Sequence, residues 1–317
     1  MRYDGNSLVD SANVDNLDSL SRESATTDER RVLELGDCAD SAALLTLALS
    51  QSGLDLYTAL SLLSERLDFG SYPIHEVTDE ATLEYLRLLR GSAAVYDRAL
   101  FTDLFLASLL REGRAITEMD LLPSDSLGSS VAYVKNALSD EAYDVLSVEL
   151  SRPSAKHYKS FRECADALAT GEVGYCLLPI MERGGTRIHA VADIIYRNDF
   201  KINAVTPVFG SLGDADIKYA LISRHFTHHR ILPGDDRYLE LRVSLSGSSF
   251  SELITAADFF GLSVFRADTA TLYDGDSDTS HLSLVLRSLG GDFAGILTYL
   301  SLFTPDAVAV GIYKNLE

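Results

Sequence analysis

The sequence has few cysteines, and their spacing fits neither a disulfide framework nor a zinc site. Only three occur in 317 residues, Cys38, Cys164 and Cys176. An odd number at distant positions is typical of a reducing compartment, so we expect a cytoplasmic protein. Cys176 lies in an apolar run predicted as a buried strand, where a cysteine packs and does not react. Nothing in the sequence predicts a metal or a cofactor.

Positive charge is also scarce. The chain has 27 lysines and arginines against 47 aspartates and glutamates, which gives a formal net charge of −20. A strongly negative protein repels the phosphate backbone of nucleic acids unless a basic patch offsets it, and no such patch is visible. The sequence therefore predicts no nucleic-acid partner, and the acidity is typical of a solvated surface.

Long apolar runs are missing as well. No stretch approaches the ~20 consecutive apolar residues that a membrane-spanning helix needs. The start, MRYDGNSLVDSANVDN, is acidic and polar, whereas a signal peptide begins with a basic segment and continues with an apolar one. We therefore expect neither export nor a membrane partner.

The patterns that are present divide most of the chain into three parts. Residues 1–27 are rich in serine, asparagine and aspartate, which predicts a disordered tail. Residues 28–115 repeat apolar positions at intervals of three and four, which predicts a helical domain whose last helix ends at Gly113. Residues 120–235 alternate short apolar runs with helical patterns, as in an α/β unit.

The clearest pattern covers residues 236–317. The segment YLELRVSL alternates as a half-buried strand does, and Ser249 with Glu252 has the spacing of a capping box at a helix start. A predicted hairpin, a second helix and a closing strand complete the order βαββαβ. This is the ferredoxin-like order, in which two helices cover one face of a four-stranded antiparallel sheet. We expect the other face to be free to pair or to bind.

The segment at 160–202, SFRECADALATGEVGYCLLPIMERGGTRIHAVADIIYRNDFKI, resembles the core of the prephenate dehydratase family. Pro179 and Ile180 hold the place of the Pro-Ile that ends a strand in that family, and Asp193 holds the place of an aspartate on the next helix. The βαββαβ unit resembles the ACT regulatory domain that follows this core. Residues 60–91 are similar to the chorismate mutase helices that precede it in the bifunctional enzymes.

The resemblance implies a multidomain α/β and α+β protein. Its parts are an N-terminal helical domain, a prephenate-dehydratase-like core and a C-terminal ACT domain, and the family pairs two chains through the ACT sheet. The core is truncated, because only the segment PVFGSLGDAD stands where the family inserts a second lobe. The family's site lies between lobes, so a cleft wall is missing. From the resemblance to ACT domains we expect a homodimer, and from the truncated core we expect a diverged site.

The resemblance also implies a loss of catalytic groups. Ile217, Lys218 and Tyr219 stand where the family has its Thr-Arg-Phe strand. Isoleucine donates no hydrogen bond, and lysine cannot reproduce the two-pronged grip of arginine on a carboxylate. Losing one donor to the transition state commonly costs ~10²-fold in rate. If catalysis remains, Lys218 and Tyr219 are the candidates for it.

Candidate binding residues follow the double glycine before a predicted helix, where free amide groups and the helix dipole favour an anion. They are Arg183, Thr186, Arg187 and His189. A solvated glycine loop with ordinary surface cations explains the same pattern. Arg66 is the one arginine that sits where the mutase family has one.

The resemblance to ACT domains implies an effector site as well. The family's Gly-Ala-Leu turn corresponds to Ser248, Ser249 and Phe250, and its Glu-Ser-Arg-Pro strand begins at Asp268. These changes remove the glycine and the arginine, so the resemblance does not by itself predict phenylalanine as the ligand.

Three functions follow from these observations. The first is a catalytically impaired relative of the chorismate mutase and prephenate dehydratase enzymes that acts in binding or regulation in aromatic amino acid metabolism. The second is an active prephenate dehydratase with a rebuilt site, and the third is an ACT-type sensor of small molecules. The expected partner is a small aromatic acid or amino acid, although the sensor would bind some other small molecule at the Ser248 turn.

Overall fold

The computed structural model describes residues 42, 45, 46, 94–111, 113–122, 128–182, 184–209, 216–227, 236–244, 250–274, 277–289, 291–304 and 306–314. The predicted tail and most of the predicted helical domain lie outside these residues. So do four of the candidate site residues: Arg66, Arg183, Ser248 and Ser249.

The described elements alternate between helices and strands. The helices are α1 (Val95–Arg111), α2 (Glu118–Leu121), α3 (Ala137–Leu146), α4 (Phe161–Ala169), α5 (His189–Arg197), α6 (Phe250–Phe259) and α7 (Ala294–Phe303), and a 3-10 turn (Ser147–Glu149) follows α3. The strands are β1 (Ser130–Val134), β2 (Ser154–Tyr158), β3 (Tyr175–Met181), β4 (Lys201–Phe209), β5 (Asp216–Ser223), β6 (Asp236–Ser244), β7 (Ser263–Asp274), β8 (Ser277–Leu289) and β9 (Ala307–Lys314).

All nine strands belong to one mixed sheet of order β2-β1-β3-β5-β4-β9-β6-β8-β7. We call the part built from β1–β5 and α3–α5 the α/β half, and the part built from β6–β9, α6 and α7 the C-terminal half. β1 pairs in parallel with β2 and β3, whereas β5 pairs antiparallel with β3 and β4. Six residues, 210–215, connect β4 to β5.

The α/β half follows the sequence pattern closely. Ser160 caps α4 as predicted, because its hydroxyl accepts from the amide of Glu163 at 3.2 Å. The Glu163 carboxylate accepts from the amide of Lys159 at 3.0 Å, one residue before the amide that a full capping box uses. The helix is followed by Gly171, whose φ of +78° suits a glycine. Every residue of β3 is buried, as predicted, because α3 covers one face of the sheet while α4 and α5 cover the other.

The C-terminal half has the predicted βαββαβ order, with antiparallel pairing throughout and the strand order β9-β6-β8-β7. Alternate residues of β6, namely Leu239, Leu241 and Val243, face α6 and α7 and form a common core with them. The predicted helix α1 packs on the same side and contributes Phe101 and Phe105 to that core. The last helix of the predicted helical domain therefore shares a core with the C-terminal half.

The second face of the C-terminal sheet differs from the expectation that it is free. Helix α5 of the α/β half packs against it, and Arg242 donates to the backbone oxygen of Tyr196 at 3.0 Å. Glu240, which faces the polar side of β6, is 0% exposed. The alternation of β6 correctly separates the two faces, but it carries no information on what covers the polar one.

The two halves meet where β4 pairs in parallel with β9, through Ile202 and Gly311. A Cβ atom at position 311 would lie 2.9 Å from the Cβ of Ile202 and 3.1 Å from the ring of Tyr313. The contact with Ile202 is shorter than real Cβ atoms make and the contact with Tyr313 is unusually tight, so the close approach of the two strands favours glycine at this position.

Candidate functional site

The two candidate catalytic residues lie on opposite faces of the sheet, because they are neighbours on β5. Tyr219 is 3% exposed and packs under α3, where its hydroxyl accepts from the Ser139 hydroxyl at 3.4 Å. Burial raises the pKa of Tyr219. Lys218 points to the other face, towards the C-terminal half. The structure therefore does not bring these two side chains to one ligand.

The glycine turn before α5 also separates its candidate residues. Gly184 and Gly185 both adopt positive φ, and the amide of Glu182 donates to the carbonyl of Thr186 at 2.8 Å to close the turn. The side chains of Thr186 and His189 are exposed. That of Arg187 is buried instead, so it does not join them in a surface anion site.

Arg187 forms a buried ion pair with Glu240 across the junction between the two halves, with 2.5 Å between Nη2 and Oε1. Its Nη1 donates to the Ser283 hydroxyl at 2.9 Å, which lies 3.3 Å from Glu240 Oε1. The Tyr313 hydroxyl donates to Glu240 Oε2 at 3.3 Å. The Arg187 guanidinium also lies 5.5 Å from the ring centre of Tyr196. Arg187 and Glu240 are therefore each contacted by groups from both halves.

The electrostatics of this pair favour its ionised form. Desolvation is the largest single effect and lowers the pKa of Arg187, but the charge and hydrogen bonding of Glu240, together with Tyr196 and Tyr313, outweigh it and hold the pKa above its ordinary value. Burial, and then the charge of Glu240, raise the pKa of Tyr313, so this phenol stays protonated and donates. Arg187 is thus paired with Glu240 and hydrogen-bonded to Ser283, and the pair fastens α5 to the C-terminal sheet.

A small cavity, which we call the seam cup, lies on the same side of the sheet. Its volume is about 10 Å³, roughly that of one water molecule. Residues from both halves line it: Ile180, Met181, Val205, Lys218, Tyr238, Phe265, Arg266, Val285 and Tyr313. It is the place where the structure brings a candidate catalytic residue together with groups from the C-terminal half.

Aromatic rings form one wall of the seam cup. The rings of Tyr238 and Phe265 meet edge to face with 4.9 Å between centroids, and those of Tyr238 and Tyr313 stack at 5.8 Å. Phe265 is 48% exposed at the rim. It is the extra residue of a β-bulge between Val264 and Arg266, a feature that often redirects a side chain beside a site.

Arg266 connects the seam cup to one of the candidate effector residues. Its Nε lies 2.7 Å from the carboxylate of Asp268, and its Nη1 touches the sulfur of Met181. Phe250, the other described effector candidate, is the first residue of α6, which packs on the face of the C-terminal sheet opposite to α5. Asp268 and Phe250 are therefore on opposite sides of the C-terminal half.

Sequence reasoning missed Glu240 and Arg266, which are central to this region. Both lie on polar faces of alternating strands, a position that the pattern assigns to solvent. Glu240 pairs with Arg187 and Arg266 contacts Met181, each more than forty residues away in the chain, so no local spacing indicates these contacts.

The remaining reactive groups do not add a second site. Cys164 and Cys176 are buried and unpaired, and burial raises the pKa of Cys164 to about 11 and that of Cys176 well above its ordinary value. Within the described part of the chain, no cluster of three histidine, cysteine or acidic side chains is placed to hold a metal ion. None of the helices described here is both long enough and apolar enough to cross a membrane.

Comparison with known proteins gives only distant similarities. A prephenate dehydratase from Streptococcus mutans aligns at 9% identity and a TM-score of 0.48, over 60% of this chain and all of that one. GqqA, described as a novel type of quorum quenching acylase, aligns at 14% identity and 0.44, over 59% and 95%. A prephenate dehydratase from Arthrobacter aurescens in complex with L-Phe aligns at 12% and 0.41, over 58% and 90%. No family model and no curated protein sequence matches.

Proposed function

We propose that this protein is a non-catalytic relative of the chorismate mutase and prephenate dehydratase enzymes that binds a small aromatic acid or amino acid in a regulatory role. The observation that carries the proposal is the placement of Lys218 and Tyr219, whose side chains leave β5 on opposite faces. A dehydratase needs a cation for the substrate carboxylates and a proton donor for the leaving hydroxyl at one point. Here the two candidate catalytic residues, Lys218 and Tyr219, are separated by the thickness of the sheet.

Two further observations support a binding role. Arg187, the buried candidate cation, is already paired with Glu240. The seam cup, with a volume of about 10 Å³, is far too small to enclose a ring that bears two carboxylates. Catalysis depends on a site that surrounds its substrate and excludes water, whereas a regulatory ligand needs only a rim that holds it.

An activity assay tests this proposal. The purified full-length chain is expected to form no phenylpyruvate from prephenate, and no prephenate from chorismate, above the rate without protein. An active prephenate dehydratase and an active chorismate mutase at the same concentrations serve as positive controls. Turnover of about 1 per second or faster, the ordinary range for enzymes, would establish the alternative of a rebuilt active site.

We also propose that the chain acts as a cytoplasmic homodimer paired through the C-terminal half, as in an ACT-type sensor. Strand β7 is the last strand of the sheet, so its outer hydrogen-bonding edge has no neighbouring strand among the described residues. It also exposes Val264, an apolar side chain at an edge that a second copy can cover.

Sedimentation measurements test the dimer. The wild-type chain is expected to sediment at twice its mass of 34.6 kDa, and Val264→Lys at 34.6 kDa, because a charge at a strand edge opposes pairing. Val148→Lys, at an exposed apolar residue of the α/β half, serves as the control and should leave the dimer intact. A wild-type monomer at micromolar concentration would contradict this part of the proposal.

A further inference from the structure

We infer that strand β2 is a docking edge for an acidic, extended segment of a partner protein, which adds to the sheet as a further strand. β2 is the end strand of the nine-stranded sheet, at the opposite end from β7. Its first four residues are exposed and only Tyr158 is half-buried, so the strand is open to solvent on both faces. Among the described residues, no strand pairs with its outer edge. The inference is independent of the function proposed above.

The outer edge of β2 offers backbone groups to such a segment. The amide of Ser154 donates inward, to the carbonyl of Ser129 at 3.1 Å. Successive residues of a strand direct their backbone groups alternately to its two sides, so those of Ala155 and His157 point away from β1. Main-chain hydrogen bonds to groups of this kind supply the affinity when an extended peptide adds to a sheet edge.

The charge of β2 and its flanks is opposite to that of the whole protein. Residues 151–162 contain no aspartate or glutamate and four cations, so their formal charge is +4, whereas that of the chain is −20. The cations, all at exposed positions, are Arg152, Lys156, Lys159 and Arg162. Lys156 already contacts Glu172, with 3.4 Å between Nζ and Oε1, but exposed pairs of this kind contribute little. Acidic side chains of a partner therefore meet complementary charge at this edge.

The two faces of β2 differ, which predicts an alternating pattern in the partner. Tyr158 packs with the core under α4, so Lys156, two residues before it, lies on the same face. Ala155 and His157 lie on the opposite face, which α3 covers in the neighbouring strands. An acidic side chain is therefore favoured on the α4 face, and an apolar side chain on the α3 face can cover Ala155.

An acidic residue already present on the α3 face supports this pattern. The ring of His157 meets the ring of Tyr133 edge to face, with 4.8 Å between centroids. The Tyr133 hydroxyl donates to the carboxylate of Asp140 at 2.9 Å. Asp140 thus lies one side chain away from β2, where it repels a second carboxylate. The segment that fits best alternates acidic with apolar residues.

Two other occupants fit this edge less well. A nucleic acid extends beyond four cations and meets the acidic remainder of the protein, which repels its phosphates. A second copy of the chain that paired through β2 would bring the same cations together, and like charges on paired strands are destabilising.

Fluorescence polarisation with dye-labelled peptides and the full-length chain tests the inference. The acidic probe is Gly-Glu-Val-Glu-Val-Glu-Gly. Its controls are the peptide with lysine in place of each glutamate and the non-alternating peptide Gly-Glu-Glu-Glu-Val-Val-Gly, which has the same composition. We expect the acidic alternating peptide to bind at least tenfold more tightly than either control. A labelled oligothymidylate of about the same length serves as the nucleic-acid probe, and we expect it to bind more weakly than the acidic peptide.

Backbone pairing is tested separately from charge. Alternate amides of an added strand face β2, so N-methylation of both valines or of all three glutamates is expected to abolish binding in only one of the two cases. Ala155→Pro removes an outward donor and leaves the inward bond of Ser154 to β1 in place, as proline does on edge strands. This variant is expected to raise the Kd at least tenfold.

Three variants test the charge. Lys156→Glu and Arg162→Glu are each expected to raise the Kd of the acidic peptide roughly fivefold, because each replaces an attraction with a repulsion. Arg111→Glu makes the same change at an exposed position in the last turn of α1, which packs on the C-terminal half, and should leave the Kd unchanged.

The outcomes decide the inference in either direction. Selective binding of the alternating acidic peptide that Lys156→Glu, Arg162→Glu and Ala155→Pro all weaken supports it. Equal binding of the lysine peptide, tighter binding of the oligothymidylate, or no binding at millimolar concentration overturns it. If Ala155→Pro fails to fold, the N-methylated peptides decide on the wild-type chain, and loss of binding in neither of them contradicts strand addition.

Discussion

Replacing Glu240 with alanine is expected to destabilise the folded protein by about 3–5 kcal/mol, the usual cost of removing one partner of a buried ion pair. Glu240 is fully buried, and its carboxylate accepts from Arg187 and Tyr313. The alanine variant leaves the Arg187 guanidinium inside the protein without a counter-charge. Urea denaturation followed by circular dichroism at pH 7 measures the loss as a lower transition midpoint.

Two control variants separate the free-energy cost of leaving Arg187 without a counter-charge from the net contribution of the ion pair to stability. The double variant Arg187→Met with Glu240→Leu removes both charges, and most of the lost stability is expected to return, because an apolar pair of similar volume needs no counter-charge. Arg197→Ala breaks the exposed pair with Asp193 and is expected to cost no more than about 1 kcal/mol. A loss for Glu240→Ala as small as that of Arg197→Ala would mean that the buried pair does not hold the two halves together.

The second large effect is unfolding in alkaline solution, caused by acidic groups that the fold keeps protonated. Burial raises the pKa of Cys164 to about 11 and the pKa of Tyr299 to about 12. Burial also raises the pKa of Cys176 and of Tyr313 well above their ordinary values. In the unfolded chain these groups ionise near pH 9 and 10, the ordinary values for a thiol and a phenol.

The direction of the effect follows from the difference between the two states. A pKa that is raised by folding contributes stability in full below the unfolded value, and that contribution is lost as the pH rises through the folded value. A difference of two pKa units corresponds to roughly 3 kcal/mol, so Cys164 and Tyr299 together remove on the order of 5 kcal/mol by pH 12. Since domains of this kind are stable by about 5–15 kcal/mol, we expect cooperative unfolding between roughly pH 10 and 12.

Far-ultraviolet circular dichroism and the absorbance of ionised tyrosine, recorded together against pH, measure this transition. A step in the tyrosine absorbance is expected to coincide with the loss of the circular dichroism signal, because the buried phenols ionise only when the chain unfolds. Repeating the titration in 1 M NaCl screens the repulsion due to the net charge of −20 and leaves the contribution of the buried groups. Cys164→Ala is expected to move the midpoint upwards. Equal stability at pH 8 and pH 11.5 would contradict the argument.

The sequence predicted those parts of the fold in which a local pattern and the three-dimensional environment agree. The capping residues of α4 act within one turn of helix, and β3 is apolar at every position because helices cover both its faces. The alternation of β6 likewise separates its two faces correctly. In each case a few consecutive residues carry the whole signal.

The candidate site was much less accessible to prediction, because its residues come together only through tertiary packing. The seam cup joins Met181 of β3 and Lys218 of β5 to Arg266 of β7. The buried pair joins Arg187 to Glu240 in the same way. Alternation indicates which side chains share a face, but it does not indicate that α5 of the α/β half lies on the polar face of the C-terminal sheet. Glu240 therefore had the pattern of a solvated residue.

Glycine at position 311 has a consequence for how the molecule tolerates change. β4 and β9 approach each other there so closely that a methyl group added at position 311 would clash with Ile202 and crowd the ring of Tyr313. Spreading the strands at this point would draw Arg187 away from Glu240 and widen the seam cup, which residues of both halves line. Gly311 thus sets the distance between β4 and β9 on which both the Arg187–Glu240 ion pair and the seam cup depend.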